Sequence, residues 1–220
     1  MIGESLVKDP SLAPEGHRKI DWVAQHAPVL NKIAGEQLAD GSLRGRKVAM
    51  TIHLEAKTAY LALLLSEAGA DVTVSGSNPL STQDDVCAAL AERGVRVFAT
   101  HDPSEEDFEG YLHKTLETGP DLIVDDGAEL VGRLIDHHPD LVGNVLGASE
   151  ETTTGVLKLR AMTAEEVLPF PVLAVNDAKM KHLFDNRYGT GHSSIVALLS
   201  NTNLFLSGKA VVVMGFGWVG

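Results

Sequence analysis

Little of this 220-residue chain is cysteine or basic, and each shortage excludes something. A single cysteine, Cys87, rules out an internal disulfide and suits a reducing compartment. Its neighbours, DDVCAALAE, read as helix, so Cys87 is expected to be packed rather than reactive. Lysine and arginine number 18 against 30 aspartates and glutamates, giving a formal net charge of -12. That balance argues against a nucleic-acid partner, because phosphates demand a basic surface. No apolar run reaches the ~18 residues of a membrane span, so no membrane partner is expected. The opening MIGESLVKDP has no apolar signal-peptide core, and a cytoplasmic protein is expected. Neither HExxH nor CxxC spacing occurs, so no metal site is expected, and His137-His138 reads as a solvated surface pair.

What is present is an ordinary globular composition, 44% hydrophobic and 22% charged. Residues 9–39 read as helix, with Ile20, Val23, Ala27, Leu30 and Ile33 on one face and a break at Pro28. Short apolar runs then predict strands at 48–52, 71–75, 95–99, 122–124, 171–175 and 209–214. Helical patterns fall between them, at 55–68, 81–93, 103–117, 130–137, 152–162 and 193–206. Ser81-Thr82-Gln83-Asp84 has the residues of a helix cap, and 147–151 reads as a turn. Strands alternating with helices predict an α/β fold with a doubly wound, mostly parallel sheet.

Two stretches carry chemistry. The first is NDAKMKHLFDNRYGTG, residues 176–191, after an apolar run expected to be a buried strand. Ligands of open α/β sheets bind at strand carboxyl ends, so this turn is well placed for a site. Asn176 or Asp177 can cap the helix that follows, on which Lys181 and Asp185 share a face. The spacing allows either a solvated ion pair or a pair that holds a sugar hydroxyl and moves its proton. The second is GFGWVG, residues 215–220, directly after a predicted strand. Glycines there make a tight turn and let a pyrophosphate approach a helix N-terminus. The rest of such a dinucleotide site is not in the sequence, so the chain reads as the front part of a longer enzyme. A substrate-binding and catalytic domain is expected at 1–191, and 192–220 begins an incomplete Rossmann domain with its first helix and strand.

The runs SNPLSTQDDV, DDGAEL, GASEETTTGVLKL, VNDAKMKHLFDNRYGTG and VVVMGFGWVG, in that order, resemble the S-adenosylhomocysteine hydrolases. The resemblance covers nearly all of the chain and about the first half of a family member. The FDNRYGTG wording is similar to the prokaryotic and archaeal-type members. It implies a reversible hydrolysis of S-adenosyl-L-homocysteine to adenosine and L-homocysteine. In that reaction tightly bound NAD oxidises the ribose 3′-hydroxyl, homocysteine is eliminated, water adds and the ketone is reduced.

Carried over position by position, the resemblance implies that Lys181 and Asp185 contact the 3′-hydroxyl. Glu151 would hold the ribose hydroxyls, and Asp126 would sit by C4′–C5′. His53 would be an acid/base near the leaving group and water. Thr152, Thr153 and Thr154 would bond the cofactor, Asn176 and Asn186 would line the same cleft, and Gly215, Gly217 and Gly220 would begin the pyrophosphate turn. Read without the resemblance, His53 is equally a satisfied strand-end histidine, Asp126 a turn former and the threonines a helix start.

The departure from better-known members is at HLEAKT, residues 53–58. Those members have a threonine where Glu55 stands and, where Lys57 stands, a glutamate that accepts from the adenine amino group. Lysine can only donate, which suits the six-position carbonyl of hypoxanthine and an S-inosylhomocysteine substrate. The alternative is that Lys57 pairs with Glu55 and the base is read elsewhere. Two further readings are a non-catalytic nucleoside-binding module and a 2-hydroxy-acid dehydrogenase relative; the run ETTTG argues against the latter. The resemblance implies a homotetramer for the full-length protein, and Ile195 to Leu206 would be a solubility liability where exposed.

Overall fold

The apolar runs assemble into one six-stranded sheet, in the order β3-β2-β1-β4-β5-β6. The computed structural model describes residues 5–217 and Gly220. Trp218 and Val219 of the glycine motif, and the first four residues, lie outside the described residues. The strands are β1 (Lys47–Ile52), β2 (Asp71–Gly76), β3 (Arg96–Phe98), β4 (Leu122–Asp125), β5 (Gly147–Glu150) and β6 (Val172–Ala174). The pairs β1–β2, β1–β4, β2–β3 and β4–β5 are parallel.

Helices cover both faces. Side chains alternate across a strand, so Val48, Met50 and Ile52 of β1 enter one core and Ala49 the other. The first core is closed by α1 (Ala13–His26), α3 (Ala56–Glu67) and α4 (Asp84–Glu92). The second is closed by α5 (Glu105–Glu117), α6 (Glu129–His137) and α7 (Thr153–Ala164). Between α1 and α3 lies α2 (Pro28–Gln37). Pro28 opens α2, where its missing N–H leaves no hydrogen bond unmade, so the predicted break falls at Ala27. Cys87 is fully buried in the first core, and burial beside Asp84 and Asp85 pushes its thiol pKa up, as expected of a packed cysteine.

The chain has two compact units, Met1–Leu173 and Ala174–Gly220. In the second, a single turn, α8 (Lys179–Lys181), runs into a π-helical stretch, His182–Gly189, and then α9 (Thr190–Thr202). Ile195, Val196, Leu204 and Phe205 are exposed, as anticipated for that apolar segment.

Five local expectations need correction. Residues Gly147–Glu150 form β5 rather than a turn, because the parallel ladder to β4 overrides a poor strand sequence. The run at 171–175 is the sheet edge, not a buried strand; Leu173 is 71% exposed because β6 is last in the sheet order. Residues 209–214 form no strand, and Met214 is 95% exposed; among the described residues no strand pairs with this segment. Helix α4 begins at Asp84, with no side-chain cap from Gln83, since the Thr82 hydroxyl donates to the Asn78 carbonyl instead. Neither Asn176 nor Asp177 caps the helix that follows, which has Ala178 at that position.

Leu134 of α6 is fully buried in the second core. Leu134→Ala is expected to lower the unfolding free energy by about 2–5 kcal/mol, from lost burial plus the cavity left behind. Urea unfolding of both proteins measures it; a loss under ~1 kcal/mol would contradict this packing.

Candidate functional site

The sheet order sends β1→β2→β3 outward one way and β4→β5→β6 the other, so β1 and β4 are neighbours at the reversal. The crevice beyond strand carboxyl ends at such a point is where open α/β sheets bind ligands. The residue immediately after each of four strands there is polar. His53 follows β1, Ser77 follows β2, Asp126 follows β4 and Glu151 follows β5.

Three of these are joined. His53 Nε2 lies 3.6 Å from Asp126 Oδ2, and the Ser77 hydroxyl donates to the same oxygen at 2.6 Å. His53 Nδ1 lies 2.6 Å from Ser81 Oγ, which itself donates to the Asn78 carbonyl at 3.3 Å. With its hydrogen on the Asn78 carbonyl, Ser81 can accept from Nδ1–H, and in that tautomer Nε2 is the ring position that takes or gives a proton beside a carboxylate. Asp126 is buried while the imidazole is half exposed, so the pair has one wet side.

Beneath lie two buried carboxylates. Asp125 accepts from the backbone N–H groups of Asp126, Glu129, Leu130 and Val131, which fixes the start of α6. Glu150 accepts from Gly127, Ala128 and Thr152. Burial pushes Asp125 up to about 7 against the pull of its N–H donors, and the nearby Glu150 charge adds to the rise. Burial raises Glu150 as well.

Glu55 and Lys57 follow closely on His53, and the Glu55 N–H donates to the His53 carbonyl at 3.0 Å. Glu55 caps α3, accepting from the Lys57 N–H, and its other oxygen lies 3.6 Å from the Lys57 ammonium. The pairing alternative for Lys57 is therefore present. Both line a groove of about 550 Å³ that also includes Lys19, Trp22 and Gln83. Glu151 donates its N–H to the Asp125 carbonyl, and Thr152, Thr153 and Thr154 lead into α7. Another groove, about 610 Å³ between α5, α6 and α7, contains none of the predicted residues; its Glu109 and Glu129 are tied to Arg133.

In the second unit, Lys181 Nζ donates to Asn186 Oδ1 at 2.8 Å and Asn176 Oδ1 at 3.2 Å, and lies 3.6 Å from Asp185 Oδ2. Asn186 also donates to Asn176. The π winding explains this set: it stacks residues five apart, so Asn186 joins Lys181 where an α-helix would turn it aside. Gly215 has φ 119, a conformation reserved for glycine, and a Cβ at Gly220 would meet the Gly215 carbonyl. Gly217 is exposed.

The S-adenosyl-L-homocysteine hydrolase model matches residues 4–138 and 131–210. The chain belongs to that family. An adenosylhomocysteinase of Pyrococcus abyssi is 52% identical over 97% of this chain and 51% of its own length. An S-inosyl-L-homocysteine hydrolase of Methanopyrus kandleri is 51% identical over 99% of this chain and 51% of its own length. The adenosylhomocysteinase of Thermococcus kodakarensis is 50% identical over 97% of the chain. The chain thus spans about half the length of the curated relatives it matches.

Sequence reasoning about this family member missed Ser77, Ser81, Asp125 and Glu150. Their signals were present: a serine just past a strand, and carboxylate doublets, Asp125-Asp126 and Glu150-Glu151, at strand ends. In each doublet the first carboxylate is fully buried and the second less so. Of the His137-His138 pair, His137 is exposed, as expected, while His138 is partly buried with Nε2 2.8 Å from His113 Nδ1.

Asp125 makes a pH prediction. Its carboxyl binds a proton more tightly folded than unfolded, so its stabilising contribution is full below the ordinary aspartate pKa and is lost as pH rises through about 7. Urea midpoints between the two pKa values should fall with pH, and Asp125→Asn should flatten that part of the curve. An unchanged slope in the variant would contradict the assignment.

Proposed function

We propose that this chain carries the substrate-binding part of an NAD-dependent hydrolase that splits S-adenosyl-L-homocysteine, reversibly, into adenosine and L-homocysteine. The observation that carries the reading is the His53–Asp126 pair at the carboxyl ends of adjacent strands β1 and β4. NAD, when bound, would accept hydride from the sugar's 3′ carbon and so acidify the proton on C4′.

The chain's own side chains then have distinct tasks. Lys181 takes the 3′-hydroxyl proton, and Asp185 holds the same hydroxyl. Asp126 works at the C4′–C5′ bond. His53 gives a proton to the departing thiolate through Nε2 and later takes one from water at C5′. Glu151 accepts from the ribose hydroxyls. Thr152, Thr153, Thr154, Asn176 and Asn186 serve the cofactor side, and Gly215, Gly217 and Gly220 turn the backbone towards the pyrophosphate. The glycine-only backbone at Gly215 and the close approach at Gly220 support that last assignment. The substrate-binding domain is assigned to residues 1–191 and the start of the NAD domain to 192–220. A cytoplasmic homotetramer is the assembly proposed for the full-length protein.

A second reading, S-inosyl-L-homocysteine as substrate, is favoured by Lys57. Its ammonium can only donate, and it lines the same groove as exposed Trp22 and Gln83. Its contact with Glu55 at 3.6 Å favours the adenosyl reading instead. Relatives of both names match equally well, so the base is decided by assay.

The test uses a polypeptide of the relatives' full length carrying this sequence, loaded with NAD. His53→Asn and Lys181→Ala should each lower kcat by about 100-fold or more, as expected for loss of a proton-transfer group. Wild-type turnover of either substrate supports the hydrolase reading, while nucleoside binding without turnover by the wild type would leave a binding module. Of the two substrates, equal or better turnover of the adenosyl compound defeats the inosyl reading.

A further inference from the structure

The proposed site uses Asp126 and the Glu151–Thr154 turn, which follow two different strands, β4 and β5. What ties their backbones together is Glu150, the last residue of β5 and fully buried. One carboxylate oxygen accepts from Gly127 N–H at 2.9 Å and from Thr152 N–H at 2.9 Å. The other accepts from Ala128 N–H at 2.8 Å. Two donors belong to the loop that carries Asp126; the third belongs to the turn that carries Glu151 and the threonines.

This is an unusual use of a buried charge. Removing a carboxylate from water is costly unless its oxygens are hydrogen-bonded, and here no cationic partner is needed because three N–H groups are aimed at it. An amide could not replace it: glutamine accepts on one side only, and its NH2 would face a backbone donor on the other. The surroundings are shaped for the carboxylate. A Cβ at Gly155 would collide with the carboxyl carbon and both oxygens of Glu150, so the seat exists only because residue 155 is glycine. The loop it grips is also one that needs holding, since Ala128 sits at φ 56 in the left-handed region.

We propose that Glu150 is a positioning residue: a carboxylate strap that fixes Asp126 relative to the Glu151–Thr154 turn, acting on the reaction only through them. This role rests on the hydrolase reading of the site. Both Glu150 oxygens are committed to backbone, so Glu150 itself touches neither substrate nor cofactor.

A double-mutant cycle on the full-length, NAD-loaded polypeptide tests it, using E150Q, D126N and the double variant, with folding checked by circular dichroism. E150Q should lower kcat tenfold or more while KM moves less than threefold. The double variant should lose less than the product of the two single losses, because part of what E150Q costs is the placement of a carboxylate that D126N has already removed. Unchanged kcat in E150Q, or losses that multiply, would overturn the strap and leave the site reading intact. Unchanged kcat in D126N would instead overturn the site reading, and with it this use of Glu150. Should E150Q fail to fold, the wild type still decides. The amide resonances of Gly127, Ala128 and Thr152 should move together with one shared midpoint as Glu150 titrates, and three unrelated responses would refute the strap.

Discussion

The parallel pairing of β1 with β4 is the constraint on which the rest depends. Its register, Val48↔Leu122, Ala49↔Ile123 and Met50↔Val124, brings the two strands to a close side by side. His53 and Asp126 are then adjacent without any further arrangement. The pairing is forced from two directions. Alternating side chains of β1 serve both cores at once, so a one-residue slip would send the apolar set to the wrong faces. The chain also reverses its winding between these strands, which opens the crevice a ligand can use.

Much of this was legible in the sequence because period and punctuation agree. Apolar runs a few residues long, separated by helical patterns, leave little choice but a doubly wound sheet, and Pro28 marks a break where it falls. The failures share a cause: each concerns a partner that a single stretch cannot reveal. Gly147–Glu150 has a weak strand sequence and becomes β5 because β4 offers it a ladder. Residues 209–214 have a strong strand sequence and remain unpaired, since among the described residues no ladder is offered. The run at 171–175 is apolar enough for a buried strand but lies at the sheet edge.

The site shows the same division. His53 and Asp126 were legible as polar residues at strand ends, Glu151 only through the family resemblance, which gave all three their tasks. Their supports were not legible, because support is a matter of distance. Ser77 and Ser81 read as loop serines until they are seen to hold Asp126 and His53. Glu150 reads as half of an acidic doublet until its three N–H partners are located in space. In the second unit, Lys181 and Asp185 were anticipated from α-helical spacing, but the bond from Lys181 to Asn186 belongs to π winding.

The central claim is that ligand binds beyond the carboxyl ends of β1 and β4. Hydrogen–deuterium exchange on the full-length polypeptide, with and without S-adenosyl-L-homocysteine and then S-inosyl-L-homocysteine, tests it most directly. Protection concentrated at residues 53–58, 77–82, 125–129 and 151–154 is the predicted result. Protection centred on the groove of Glu109, Arg133 and Lys158, with those strand ends unchanged, would contradict it.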